Sequence, residues 1–228
     1  MSSKKLENKT PVRYVKLIIE LLYDFFGNVE TPLTHKNTEQ LTVAVVLSAQ
    51  TTDDQVNKVT PVLFENYPDM KSLAEAPLSD IEKIIFSTGF YKNKAKHIKA
   101  LAQDVVNLYD GKIPNDFEAL LKLPGVGRKT ANVVMDCAFQ RSVGIVVDTH
   151  VKRISQRLHL TKEKSPDKIE KDLMKIIPEK EWKHISLQFI YLGRKFCMAR
   201  KPTCIECILK NICPSADVSS MDGQIDKN

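Results

Sequence analysis

Near the middle of the chain stands Leu123-Pro124-Gly125-Val126-Gly127-Arg128-Lys129-Thr130. Two glycines flank one valine, so the backbone can bend there in a way that ordinary residues resist. Apolar runs on both sides read as helices, which makes the segment a helix-hairpin-helix. Such a bend turns consecutive N–H groups outward beside the N-terminus of the second helix, where partial positive charge can hold a phosphate oxygen. Nucleic acid is therefore the leading ligand. Lys129 falls in the first turn of that second helix, where the dipole disfavours a cation, and this placement asks for a functional reason. Asp148, in Val147-Asp148-Thr149-His150, follows Lys129 by nineteen residues.

The rest of the pattern is helical. Val12, Val15, Ile19, Leu22 and Phe26 recur at helical spacing and Gly27 ends the run. Leu41 to Ala49 is rich in valine, but the Thr51-Thr52-Asp53 cap signal after it and the lack of a partner strand predict a buried helix. A helix is expected from Asp53 to about Glu65, and Ser79 and Asn93 suit caps of short helices after Pro77 and after Gly89-Phe90-Tyr91. Asp116 precedes the hairpin's first helix, Phe117 to Lys122, and Thr130 to Phe139 completes the second. Further helices are expected from Asp148 to Leu158, from Ser165-Pro166 to Ile177 and from Glu179 to Phe196. The expected class is all-α, and the polar tail from Ser215 onward is expected to be disordered.

Charge is not spread evenly. The chain of 228 residues carries a net +6, yet residues 122–157 alone hold seven Lys/Arg against two Asp/Glu, and 194–210 hold five against one. Positive charge concentrates where the motifs lie, as a polyanion site requires. Met1 to Thr10 lacks the apolar stretch of a secretory signal, and no run is long enough to span a membrane. Five cysteines, four of them within 197–213, argue for a metal site in a reducing compartment and against a disulfide framework. The expected setting is the cytoplasm, beside the nucleoid. Cys137, inside the hairpin's second helix, reads as a small buried hydrophobe.

Four motifs in order, LSAQTTD at 47–53, LPGVGRKTA at 123–131, VDTHVKR at 147–153 and the terminal cysteine array, resemble the endonuclease III family of DNA glycosylases from about residue 12 to residue 214. The resemblance implies a six-helix domain over 31–141 that holds the hairpin. It also implies a second, iron–sulfur domain built from 1–30 and 142–214, with the active site in the groove between. The implied activity is that of a monomeric DNA glycosylase and apurinic/apyrimidinic lyase that removes oxidised pyrimidines from duplex DNA.

In that chemistry an amine attacks the sugar carbon, expels the base and remains as a Schiff base, after which β-elimination cuts the strand. A nucleophilic lysine needs its cation destabilised, by burial or by a helix N-terminus. On its own Lys129 also suits plain phosphate binding; the resemblance makes it the nucleophile. Asp148 by itself reads best as an N-cap, while the resemblance makes it the carboxylate that stabilises the sugar cation as the base leaves. His150 is given no catalytic part.

Flipping a base from the duplex costs a few kcal/mol and leaves a hole to fill. Gln50 matches the family's inserting glutamine, and Phe90 matches its wedge position, where many relatives carry leucine. Phe90 reads equally well as a core aromatic beside Tyr91. Gly125, Val126, Gly127 and Arg128 would contact DNA through the hairpin, and Arg200 and Lys201 from the loop between the first two cysteines. Cys197, Cys204, Cys207 and Cys213, spaced C-x6-C-x2-C-x5-C, suit zinc slightly better than a [4Fe-4S] cluster on spacing alone; the resemblance implies the cluster. Two rival readings stand: a related glycosylase with a mismatched or other target base, and a non-enzymatic DNA-binding iron–sulfur redox protein.

Overall fold

A computed structural model describes residues 11–217, and the regular elements among them are all helical. In order these are α1 (Pro11–Phe26), α2 (Thr38–Leu47), α3 (Asp53–Asn66), α4 (Met70–Glu75), α5 (Leu78–Ile84), α6 (Tyr91–Tyr109), α7 (Phe117–Lys122), α8 (Arg128–Ala138), α9 (Thr149–Arg157), α10 (Pro166–Ile176) and α11 (Trp182–Lys195). The chain divides into two compact units. One is Thr31–Val143; the other takes in the described residues up to Glu30 and from Gly144 onward. Among the described residues no helix is long and apolar enough to cross a membrane. The polar tail expected from Ser215 lies, past residue 217, outside the described residues.

The Thr31–Val143 unit is built round α2. Every residue of α2 from Leu41 to Leu47 is buried, which requires neighbours on all sides, and α3, α6 and α8 supply them. Its start is fixed by Asn37, whose side chain accepts from the Gln40 N–H at 2.9 Å. Thr52 caps α3 in the same manner. The helix α4 was not expected from the sequence. Its signal is a capping box in which Asp69 and Ser72 exchange side-chain-to-backbone bonds, followed by only one turn and a half of chain.

Two cap assignments need correction. Ser79 lies inside α5, whose N-cap is Pro77. Asn93 lies inside α6, which starts at Tyr91 and runs for 19 residues. Its stripe of Ala95, Ile98, Leu101, Ala102 and Val105 is buried, and packing along that length holds the first turn in place up to Phe90, whose left-handed backbone stops further extension.

In the other unit α1 buries Val15, Ile18 and Leu22. The buried face is therefore centred on Ile18 and not on Ile19, and Val12, expected on that face, is 73% exposed. It packs on α10 and α11, with Phe189 at the centre of a core that also takes in Val151, Ile154 and Leu173. The single helix expected from Glu179 to Phe196 is a short 3-10 turn at Glu179–Glu181 followed by α11. Pro178 and the Trp182 indole, which donates to the Ile177 carbonyl at 2.9 Å, mark the break.

Candidate active site

The hairpin is assembled from the residues the motif supplies. Asp116 caps α7 by accepting from the Ala119 N–H at 2.8 Å. The chain then turns through Leu123–Val126, closed by the Val126 N–H on the Leu123 carbonyl at 3.1 Å. Gly125 has φ +77, and a Cβ there would lie 2.9 Å from the His97 Cβ and 3.2 Å from the Val46 Cγ1. Conformation and space both demand glycine at this position. Gly127 is different: its backbone is extended at φ −91, and a Cβ would meet nothing within 4 Å. The second glycine is thus not needed for the bend; its missing side chain leaves the start of α8 open to a ligand. Val126 is buried and anchors the turn.

No side chain caps α8, so the amides of its first turn, which have no partner within the helix, face outward for an anion. Arg128 lies over the Phe117 ring at 5.5 Å. Lys129 is exposed, so it lacks the burial that would favour a nucleophilic lysine.

Asp148 is the N-cap of α9: its Oδ1 accepts from the Val151 N–H at 2.8 Å. The residues before it, Gly144 to Val146, are buried, and the Val146 N–H donates to the Ser186 Oγ at 3.1 Å. That anchorage leaves Asp148 half-buried. His150 has its Nδ1 3.1 Å from the Arg153 Nη2 and faces Gly193, where a Cβ would collide with it. Close helix packing accounts for this histidine and for that glycine.

Gln50 and Phe90 are both exposed, and both hold left-handed backbone at φ +54 and +58. With Phe90 65% exposed, the core-aromatic alternative falls; Tyr91 packs against the core, its ring 4.9 Å from that of Phe86 and tilted 58° to it. Cys137 packs beside the core of its unit.

The four remaining cysteines line one pocket of about 140 Å³, together with Arg157, Phe196 and Lys210. The Arg157 guanidinium donates to the Cys197 Sγ at 3.1 Å and to the Met198 carbonyl at 2.8 Å. It also donates to the Ala199 carbonyl at 3.2 Å, and so grips the loop from inside. Arg200 and Lys201 project from the same loop into solvent. Burial pushes the Cys207 thiol up to about 11, opposed by an N–H from Leu209 and helped by the neighbouring thiols; burial likewise raises Cys213.

Residues 43–179 match the HhH-GPD superfamily base excision DNA repair protein family. Endonuclease III of Synechocystis is 49% identical over 95% of this chain and 97% of its own, and that of Bacillus subtilis 41% over 89% and 92%. A trapped endonuclease III–DNA covalent intermediate with an estranged adenine superposes with a TM-score of 0.85 at 42% identity, covering 91% of this chain and 97% of that one. The chain belongs to the endonuclease III family. It is a base excision repair enzyme, a DNA glycosylase and abasic-site lyase. A thermostable thymine-DNA glycosylase, at 23% identity and a TM-score of 0.78, shares the fold.

Two side chains of this endonuclease III relative escaped the sequence reading. Arg157 was passed over because its acceptors lie about 40 residues further on. Lys94 sits 4% exposed in the first turn of α6, its Nζ donating to the Thr51 Oγ1 at 2.6 Å, and burial lowers its pKa to about 8. Its signal was available: it lies one turn before Ile98, on the stripe that the helix buries.

Proposed function

We propose that this protein removes oxidised pyrimidines from duplex DNA and then cuts the strand, with Lys129 as nucleophile and Asp148 as the stabilising carboxylate. The observation that carries the reading is the place of Lys129: exposed in the uncapped first turn of α8, two residues after a glycine that leaves the backbone open. A phosphate held on those amides brings the neighbouring sugar to the amine. The Lys129 nitrogen bonds to the sugar C1′ as the glycosidic bond breaks and the electron pair leaves with the base. Positive charge that builds on the sugar is offset by Asp148, whose second carboxylate oxygen is not engaged in the cap. Loss of the ring oxygen bond gives a Schiff base, a proton leaves C2′, and the 3′ phosphate departs with the electron pair. Gln50 and Phe90 fill the gap left by the flipped nucleotide, and Arg128, Arg200 and Lys201 hold backbone phosphates.

Cys197, Cys204, Cys207 and Cys213 are proposed to hold a [4Fe-4S] cluster. The four thiols line one pocket of about 140 Å³, a donor set that either zinc or a [4Fe-4S] cluster accepts, and membership of the endonuclease III family supports the cluster. When bound, such a group supplies a cross-link between the two ends of the loop that presents Arg200 and Lys201. Four cysteines gathered round one pocket without disulfides among them suit a reducing compartment, and the reading puts the protein in the cytoplasm with the DNA.

Borohydride reduction during turnover tests the central claim. A covalent protein–DNA adduct on an abasic duplex, absent in Lys129→Ala, is the expected result; an adduct that persists in that variant refutes the assignment. A panel of duplexes, each with one lesion, tests the pyrimidine preference, with thymine glycol expected to be cut and 8-oxoguanine spared.

A further inference from the structure

The loops that carry Gln50 and Phe90 meet at one buried residue. The Lys94 N–H donates to the Phe90 carbonyl at 3.1 Å, while its Nζ donates to the Thr51 Oγ1 at 2.6 Å. The Thr51 hydroxyl lies in turn 3.5 Å from the Ala49 carbonyl, so this chain of contacts brackets Gln50 on both sides. Gln50 and Phe90 are non-glycine residues in left-handed backbone, a conformation that persists only where the surroundings impose it. The two loops also touch directly. A Cβ on Gly89 would lie 3.3 Å from the Gln50 carbonyl oxygen, and the Gln55 Nε2 donates to the Ser87 Oγ at 2.6 Å.

Packing does not explain a lysine here. A lysine 4% exposed whose ammonium meets a neutral hydroxyl is a costly choice, and an apolar side chain of the same length would fill the site without that cost. What the lysine adds is a directed bond to the neighbouring loop.

We infer that Lys94 is a positioning residue that locks the Gln50 and Phe90 loops into one block, so that both side chains enter an opened duplex together. The inference rests on the reading of those two residues as the ones that fill the helix. A block whose two projections are already set loses less conformational freedom on insertion than two independent loops would.

The test uses the full chain with Lys94→Met and Thr51→Val, singly and combined. Affinity is measured for a duplex with a tetrahydrofuran abasic analogue and for the undamaged duplex, with 2-aminopurine opposite the analogue to report unstacking by its fluorescence. Wild type is expected to prefer the abasic duplex and to raise the fluorescence. Each single variant should lose about tenfold of that preference and most of the fluorescence rise, and the double variant no more than either, as expected of partners in one contact. Affinity for undamaged duplex and the urea midpoint should hold, or rise for Lys94→Met. Variants that keep the wild-type preference and signal overturn the inference, as do variants that lower the urea midpoint and both affinities alike. If Gln50→Ala and Phe90→Ala lose the preference while Lys94→Met keeps it, the insertion reading stands and the inference alone fails. If wild type shows no preference, the insertion reading has failed first.

Discussion

Replacing Lys129 by alanine removes an amine and leaves the hairpin backbone untouched. Base removal and strand cleavage should both disappear, while affinity for an abasic duplex, measured by fluorescence anisotropy, stays within a few-fold of wild type because the α8 amides are unchanged. Asp148→Asn separates two roles of one side chain. Asparagine also caps helices, so the melting temperature should move little, a cost under about 1 kcal/mol, while excision slows by an order of magnitude or more as the negative charge is lost. Unfolding of that variant would make the cap its whole purpose. Lys94 gives a stability signature in alkali. Its folded pKa of about 8 lies below the ordinary lysine value of 10.5, so between these two values the unfolded chain binds more protons and stability rises with pH. The cost of burying the charge is fully present below about 8 and fades toward 10.5. Urea unfolding at pH 7 and pH 10 should show wild type gaining about 1 to 3 kcal/mol relative to Lys94→Met. Lys94 could have been found from periodicity, since it lies on the stripe of Ala95 and Ile98. Its bond to Thr51, 43 residues away, could not, because side-chain pairing across a fold leaves no local trace.

The two glycines of the hairpin predict different failures. Gly125→Ala places a methyl against His97 and Val46 at positive φ and should cost about 1 to 3 kcal/mol of stability, read as a fall in urea midpoint. Gly127→Ala has free space and ordinary backbone, so it should fold normally and instead weaken DNA binding, because the methyl stands where a phosphate would approach. Equal effects on stability from both would contradict this division. Sequence reasoning treated the pair as one device because two glycines in a row of three look alike; only the backbone angles and the neighbours distinguish them. Helix identity was legible where apolar spacing and a cap agreed, as at Asp116 to Lys122; the valine-rich run from Leu41 was legible as a buried helix, but its start at Thr38 behind the Asn37 cap and its end at Leu47 were not. It failed where the element was short, as in α4, or where packing extended a helix past its apparent cap, as in α6.

On the scale of the molecule, the pocket lined by four cysteines should hold the Arg200-Lys201 loop only when filled. Anaerobically purified protein is expected to be yellow-brown with about four irons per chain. Cys204→Ser should lose iron, stability and DNA affinity together, and the affinity difference should shrink as salt rises, because phosphate contacts are what is lost. A colourless protein with one zinc and full activity would refute the cluster. The all-helical class was legible from periodicity and from the absence of any strand partner for Leu41 to Ala49. The grip of Arg157 on the cysteine loop was not, since it joins α9 to a segment about 40 residues later. The division of the chain also sets an order of events during synthesis. The helix α1 leaves the ribosome first, yet the helices that cover Val15, Ile18 and Leu22, α10 and α11, are made only after the whole of Thr31–Val143. At ribosomal speeds that apolar face waits on the order of ten seconds for its partners. A nascent chain of this protein thus carries an uncovered apolar helix face until its C-terminal part is made, while the hairpin unit, contiguous in sequence, can close without waiting.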